Sequence, residues 1–144
     1  MKMKLTCREI ALDVIGPLVR SVGMKVMEDK LTIAQEHALS SVIKYHLGQY
    51  IFKGHEKRNR SSKLIAITTP EGEYHEFGIL LASLLCSHYK HNFFYLGPNM
   101  PSGSLSHAAK SIDADYIILG TTLATVQENK NFLNSYIADV LKNI

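Results

Sequence analysis

The chain has 144 residues, 46% of them hydrophobic and 20% charged, an ordinary globular composition with enough length for one core or a small two-part assembly. A formal charge of +3 is too mild to imply nucleic-acid binding by itself. No apolar run is long enough to span a bilayer and no secretory signal is recognisable; Cys7 and Cys86 are isolated, which argues against a disulfide framework or a cysteine-based zinc site. The expectation is a cytoplasmic protein with free thiols and no membrane contact.

Between Cys7 and about Glu28, apolar side chains at Ile10, Val14, Leu18 and Val22 recur at helical spacing, with Val19 and Val26 widening the stripe. Gly16-Pro17 interrupts it and predicts two helical pieces or a kink, with Pro17 near the start of the second. After a polar connection, Thr32-Ile33-Ala34-Gln35 reads as a capping box, the threonine closing the first turn and the glutamine reaching back. Leu39, Val42, Ile43, Leu47 and Ile51 then repeat at helical spacing to about Phe52. Residues 1–53 are therefore expected to form a helical bundle.

Residues 54–63 are polar and basic, and read as a linker. No aromatic residues interleave with the charges, so a solvated linker is favoured over a nucleic-acid contact, and no direct nucleic-acid binding by this chain is expected. Residues 64–144 alternate between strand and helix. Lys63 to Ile67 reads as a buried strand, followed by a Pro- and Gly-containing loop and a helix from Ile79 onward. Asn92 to Leu96 is a second strand, stopped by Gly97-Pro98-Asn99, and Ser102 to Ser111 is a short helix with Leu105, Ala108, Ala109 and Ile112 as inner positions. Tyr116 to Leu119 is a third strand, broken by Gly120-Thr121-Thr122, and a last helix turns Phe132, Leu133, Tyr136, Ile137, Val140 and Leu141 inward. The fold class is α/β: an N-terminal helical bundle followed by a flavodoxin- or Rossmann-like parallel sheet, with strand one between strands two and three.

The loop after the first strand carries the chemistry. In Thr68-Thr69-Pro70-Glu71-Gly72-Glu73-Tyr74-His75-Glu76-Phe77-Gly78, a histidine stands on the turn from strand to helix, at the carboxyl end of a parallel strand, where such sheets bind ligands. Glu73 is placed to orient the imidazole of His75 through one ring nitrogen while the other takes a metal. Gly78 removes a side chain where a bulky planar ligand would need close backbone approach. The bland alternative is a solvent-exposed loop histidine.

The pattern Glu73-x-His75-x-x-Gly78 resembles the cobalamin-binding signature, and the flanking Thr69-Pro70-Glu71-Gly72 resembles the cobalamin-dependent, light-sensing members of the MerR regulator family. The resemblance implies that His75 is the lower axial ligand of cobalt. It extends to Glu36-His37, which stands where the family has the end of a Trp-x9-Glu-His element covering the upper face of the cofactor; Val26 occupies the tryptophan position. Without the resemblance, Glu36 and His37 read as the polar side of an amphipathic helix. The family's Ser-x-Leu triplet, which contacts the nucleotide tail, corresponds to Gly120, Thr121 and Thr122, so neither fixed residue matches. The usual Gly-Gly at the end of a fourth strand would fall beyond Ile144.

The resemblance covers about residues 8 to 128 and implies a non-enzymatic corrinoid sensor that binds adenosylcobalamin or methylcobalamin and responds, as in the light-sensing members, by a change of oligomeric state. With three strands, Tyr116 to Leu119 is an apolar edge, and a homo-oligomer that shields it is expected. Two other readings stay open: an interaction module that has kept the fold and lost cobalamin, and a corrinoid carrier for methyl transfer.

Overall fold

The computed structural model describes residues 5–55, 63–123, 125 and 130–144. Its elements are α1 (Cys7–Glu9), a π-helical segment (Ile10–Ile15), α2 (Gly16–Met27), α3 (Ile33–His55), β1 (Leu64–Pro70), α4 (Phe77–His88), β2 (Asn92–Met100), α5 (Ser102–Ser111), β3 (Tyr116–Leu119) and α6 (Lys130–Asn143). They fall into two compact units: Met1–Arg58 with Leu80–Lys90, and Asn59–Ile79 with His91–Ile144. Most of the expected basic linker, residues 56–62, lies outside the described residues.

In the helical unit the irregularity expected at Gly16-Pro17 takes the form of a π-helical segment, and the chain stays helical from Cys7 to Met27. Pro17 lies in the first turn of α2 and has no N–H to continue the ladder; the residues before it take the wider π spacing, and Gly16 N–H donates to Ala11 O. That extra residue rotates the apolar stripe. Ala11 and Val22 are buried, whereas Val14 and Leu18, expected inside, are exposed. The Thr32–Gln35 capping box forms as predicted, with Thr32 N–H donating to Gln35 Oε1 at 2.9 Å and Gln35 N–H to Thr32 Oγ1 at 3.2 Å. A second box, Thr6 with Glu9, caps α1. Along α3 the buried positions are Ser40, Leu47 and Ile51, while Leu39 and Val42 face out.

In the other unit three parallel strands lie in the order β2-β1-β3. β1 is central and buried from Ala66 to Pro70, as its apolar reading requires. It is longer than expected: Thr68, Thr69 and Pro70 belong to the strand, and the loop begins at Glu71. The two hydroxyls survive burial by donating to carbonyls, Thr68 Oγ1 to Gly97 O at 2.6 Å and Thr69 Oγ1 to Glu73 O at 2.5 Å.

β2 is also longer than expected. It does not stop at Gly97 but runs to Met100, with register shifts against β1 after Ile67 and after Thr68. Between the pairs Ile67–Tyr95 and Pro70–Met100, β2 advances five residues to the three of β1. Gly97 (φ 83°) and Asn99 (φ 60°) take left-handed conformations that absorb the surplus as bulges. At the opposite end, Asp115 joins β1 to β3, accepting from Leu64 N–H at 2.8 Å and from Lys63 Nζ at 2.5 Å.

One face of the sheet is covered by α5 and α6, whose Leu105, Tyr136 and Val140 form a core with Ile117 and Leu119 of β3. Leu105 and Ala109 are inward as predicted; Ile137 and Leu141 are exposed, because α6 buries only a narrow stripe repeating every four residues. The carboxyl ends of all three strands lie at one rim, where the loops after β1 and β3 meet.

Candidate functional site

The loop between β1 and α4 is shaped first by its own backbone. Glu73 N–H donates to Pro70 O at 3.0 Å, closing a turn over Glu71 and Gly72, and Gly72 (φ 83°) supplies the left-handed residue this turn requires. The turn sends the Glu73 side chain down into the protein, where it is 1% exposed. His75, two residues on, has a side chain 76% exposed.

The two are bonded to each other. Glu73 Oε1 accepts from His75 N–H at 2.9 Å and meets His75 Nδ1 at 2.6 Å. Its other oxygen, Oε2, accepts from Thr122 N–H at 2.9 Å, Thr122 Oγ1 at 2.9 Å and Thr125 Oγ1 at 2.5 Å. Burial opposes ionisation of this carboxyl, yet the donors from Thr125, from the backbone of His75 and Thr122, and from the His75 ring outweigh it and hold the group down at about 2. An ionised carboxylate only accepts, so Nδ1 carries the proton of that contact. The other ring nitrogen, Nε2, lies on the far side of the ring from that contact, on a side chain that is largely exposed.

The loop is tied on its other side to β2. Asn99 N–H donates to Thr69 Oγ1 at 2.8 Å and to Glu73 O at 3.1 Å, and Asn99 Oδ1 accepts from Gly72 N–H at 2.8 Å. Close by, the Tyr95 hydroxyl donates to Glu76 Oε2; burial and then that carboxylate push the phenol up.

Of the residues singled out from sequence, the fold brings together Glu73, His75 and Thr122. Gly78 stands in the first turn of α4, and a Cβ added there would meet nothing within 4 Å. Gly120 has a different reason to be glycine: an added Cβ would lie 2.5 Å from Ile79 Cγ2, so the start of α4 packs directly on the loop after β3. Thr121 is exposed. Val26, Glu36 and His37 belong to the helical unit. There Val26 is half-buried at the end of α2, and Glu36 repeats the local chemistry of Glu73, accepting from Ser40 Oγ at 2.5 Å and meeting His37 Nδ1 at 2.8 Å. The Ser40 hydroxyl and then His37 hold the Glu36 carboxyl below the usual range.

Sequence reasoning missed Thr125, Thr69 and Asn99. The hydroxyl-rich Thr121-Thr122-x-x-Thr125 run was visible, but nothing in it announces a buried carboxylate some fifty residues earlier. No group of three or more His, Cys, Asp or Glu side chains suited to a metal ion occurs among the described residues. None of the described helices is long and apolar enough to cross a membrane.

No protein-family model matches the sequence. The chain is similar to the HTH-type transcriptional repressor CarH of Myxococcus xanthus, at 30% identity over 117 residues. The match takes in 81% of this chain and 38% of that protein, so the chain spans well under half of the relative's length.

Proposed function

We propose that this chain is a cytoplasmic corrinoid-binding regulatory module, taking adenosylcobalamin or methylcobalamin, with His75 as the lower axial ligand of cobalt. The observation that carries the reading is the exposed imidazole anchored through Nδ1 to a buried, ionised and fully hydrogen-bonded carboxylate. Such an arrangement costs conformational freedom and desolvation, and it presents a single nitrogen in a fixed direction. One donor suits a metal already held by a macrocycle; a bare ion would need several.

Bound cobalamin would supply a cobalt centre whose upper bond is made or broken by light or by ligand exchange. The chain's own residues bind and orient. His75 presents Nε2, Glu73 fixes the ring, and Thr122 and Thr125 fix Glu73. Gly78 leaves room beside the histidine for a planar ring. Gly120 and Thr121 are the candidates for the nucleotide tail, and Val26, Glu36 and His37 for the upper face. Change at the upper face would alter self-association, for which the apolar edge of β3 and the exposed Val42, Tyr45 and Phe52 of α3 are available surfaces. The similarity to a transcriptional repressor supports a regulatory rather than catalytic role.

The competing reading is an interaction module that has lost the cofactor. It is favoured by Val26 in place of an indole and by Thr122 being turned onto Glu73 instead of toward a ligand. A spectrum decides between them. Mixed with adenosylcobalamin in the dark and desalted, the wild-type protein is expected to retain colour with a histidine-ligated spectrum, and His75→Ala to lose it. Illumination followed by sizing should change the oligomeric state; retained colour without that change would indicate a methyl carrier. No retention with the adenosyl, methyl or hydroxo forms would leave the interaction module.

A further inference from the structure

Asn99 is an unlikely residue to find inside a strand. It has a left-handed φ of 60°, a conformation unfavourable for most side chains and one that asparagine tolerates better than any residue but glycine. It is displaced from the ladder by the surplus residues that β2 carries against β1. Backbone strain of this kind persists where surrounding contacts over-determine it, and it concentrates at functional sites.

Its hydrogen bonds among the described residues go to one place. Its N–H reaches Thr69 Oγ1 and Glu73 O, and its Oδ1 takes Gly72 N–H. Thr69 Oγ1 in turn donates to Glu73 O, and Glu73 N–H closes the turn on Pro70 O. The result is a ring of hydrogen bonds around the peptide units on either side of Glu73. The threonines after β3 hold the Glu73 carboxylate from one flank, and Asn99 holds the Glu73 main chain from the other.

We infer that Asn99 is the positioning residue for His75: by holding Gly72 through Oδ1, it fixes the turn that aims the Glu73 carboxylate and hence the imidazole. The bulged end of β2 exists to deliver this side chain. The inference deepens the corrinoid reading and rests on it for its consequence, but the positioning itself is a property of the protein alone.

Three substitutions separate the contributions. Asn99→Gly keeps the backbone conformation and removes Oδ1; Asn99→Ala removes both; Asn99→Asp keeps an acceptor for Gly72. In the protein without cofactor, labelled with ¹⁵N-histidine, the wild-type His75 is expected to show a single Nδ1–H tautomer, and Gly72 a protected amide. In Asn99→Gly and Asn99→Ala the tautomers should mix and Gly72 exchange should quicken by at least about tenfold, beyond any change in the global unfolding midpoint. Asn99→Asp should restore both. Release of hydroxocobalamin should follow the same order, faster by about tenfold or more in the glycine variant.

A His75 tautomer unchanged in Asn99→Gly, or an Asn99→Asp protein no better than Asn99→Gly, would overturn the assignment. If wild-type protein holds no hydroxocobalamin, the corrinoid reading fails, and the tautomer result still decides the role of Asn99.

Discussion

Glu73 takes five hydrogen bonds from three residues while almost wholly buried, so its charge is a stability statement as well as a site feature. The folded-state value of about 2 lies below the ordinary value of 4.5, so folding favours the ionised form. The stabilisation is then fully present above the unfolded value and is lost as pH falls through the folded one. The shift corresponds to roughly 3 kcal/mol, surrendered between about pH 4.5 and about pH 2. Urea midpoints of the protein without cofactor should fall through that window, and Glu73→Gln should flatten the fall while lowering stability near neutrality by roughly 2 kcal/mol, because an amide turns donors onto donors. An unchanged pH slope in the variant would show that Glu73 is not held as described. At this scale the sequence was half legible. Glu73 and His75 are two positions apart and could be paired by inspection, whereas Asn99 arrives from β2 and Thr122 and Thr125 from the segment after β3, and only the folded sheet delivers them.

Among the elements, β1 and the start of α4 set the site, and Gly120 is where a third segment must fit against them. An alanine there would bring its Cβ against the branch methyl of buried Ile79, with Thr69 Cγ2 at 3.5 Å behind. Gly120→Ala should therefore destabilise by about 1–3 kcal/mol. Ile79→Leu, which keeps the volume but deletes the offending Cγ2, should recover part of that loss in a double-mutant cycle on urea midpoints. Strict additivity of the two changes would contradict this packing. Strand order, the parallel sheet, the Thr32 capping box and the irregularity at Pro17 could all be read beforehand, because each rests on local pattern or chirality. The length of β2 could not. Gly97-Pro98-Asn99 carries ordinary stop signals, and only pairing with β1 turns a turn-like tripeptide into bulged strand. Val14 was misread for a similar reason, since the π segment Ile10–Ile15 shifts the residues before Pro17 out of the regular helical spacing.

For the whole molecule, each of the two units carries one Glu–His pair, Glu73 with His75 at the rim of the parallel sheet and Glu36 with His37 in the helical unit. The sheet order expected for a ligand-binding α/β domain is present, and the rim where such domains bind is where His75 stands. Fold alone does not give function, and the proposed function turns on a bond between one atom of this chain and cobalt. That bond can be read directly. In the Co(II) state a single axial nitrogen splits the electron paramagnetic resonance lines, into triplets for ¹⁴N and doublets for ¹⁵N. Protein labelled with ¹⁵N-histidine and loaded with unlabelled cob(II)alamin should give doublets, and His75→Ala prepared the same way should not. Triplets from the labelled wild-type protein would mean that cobalt keeps the cofactor's own base, and that His75 is not its ligand.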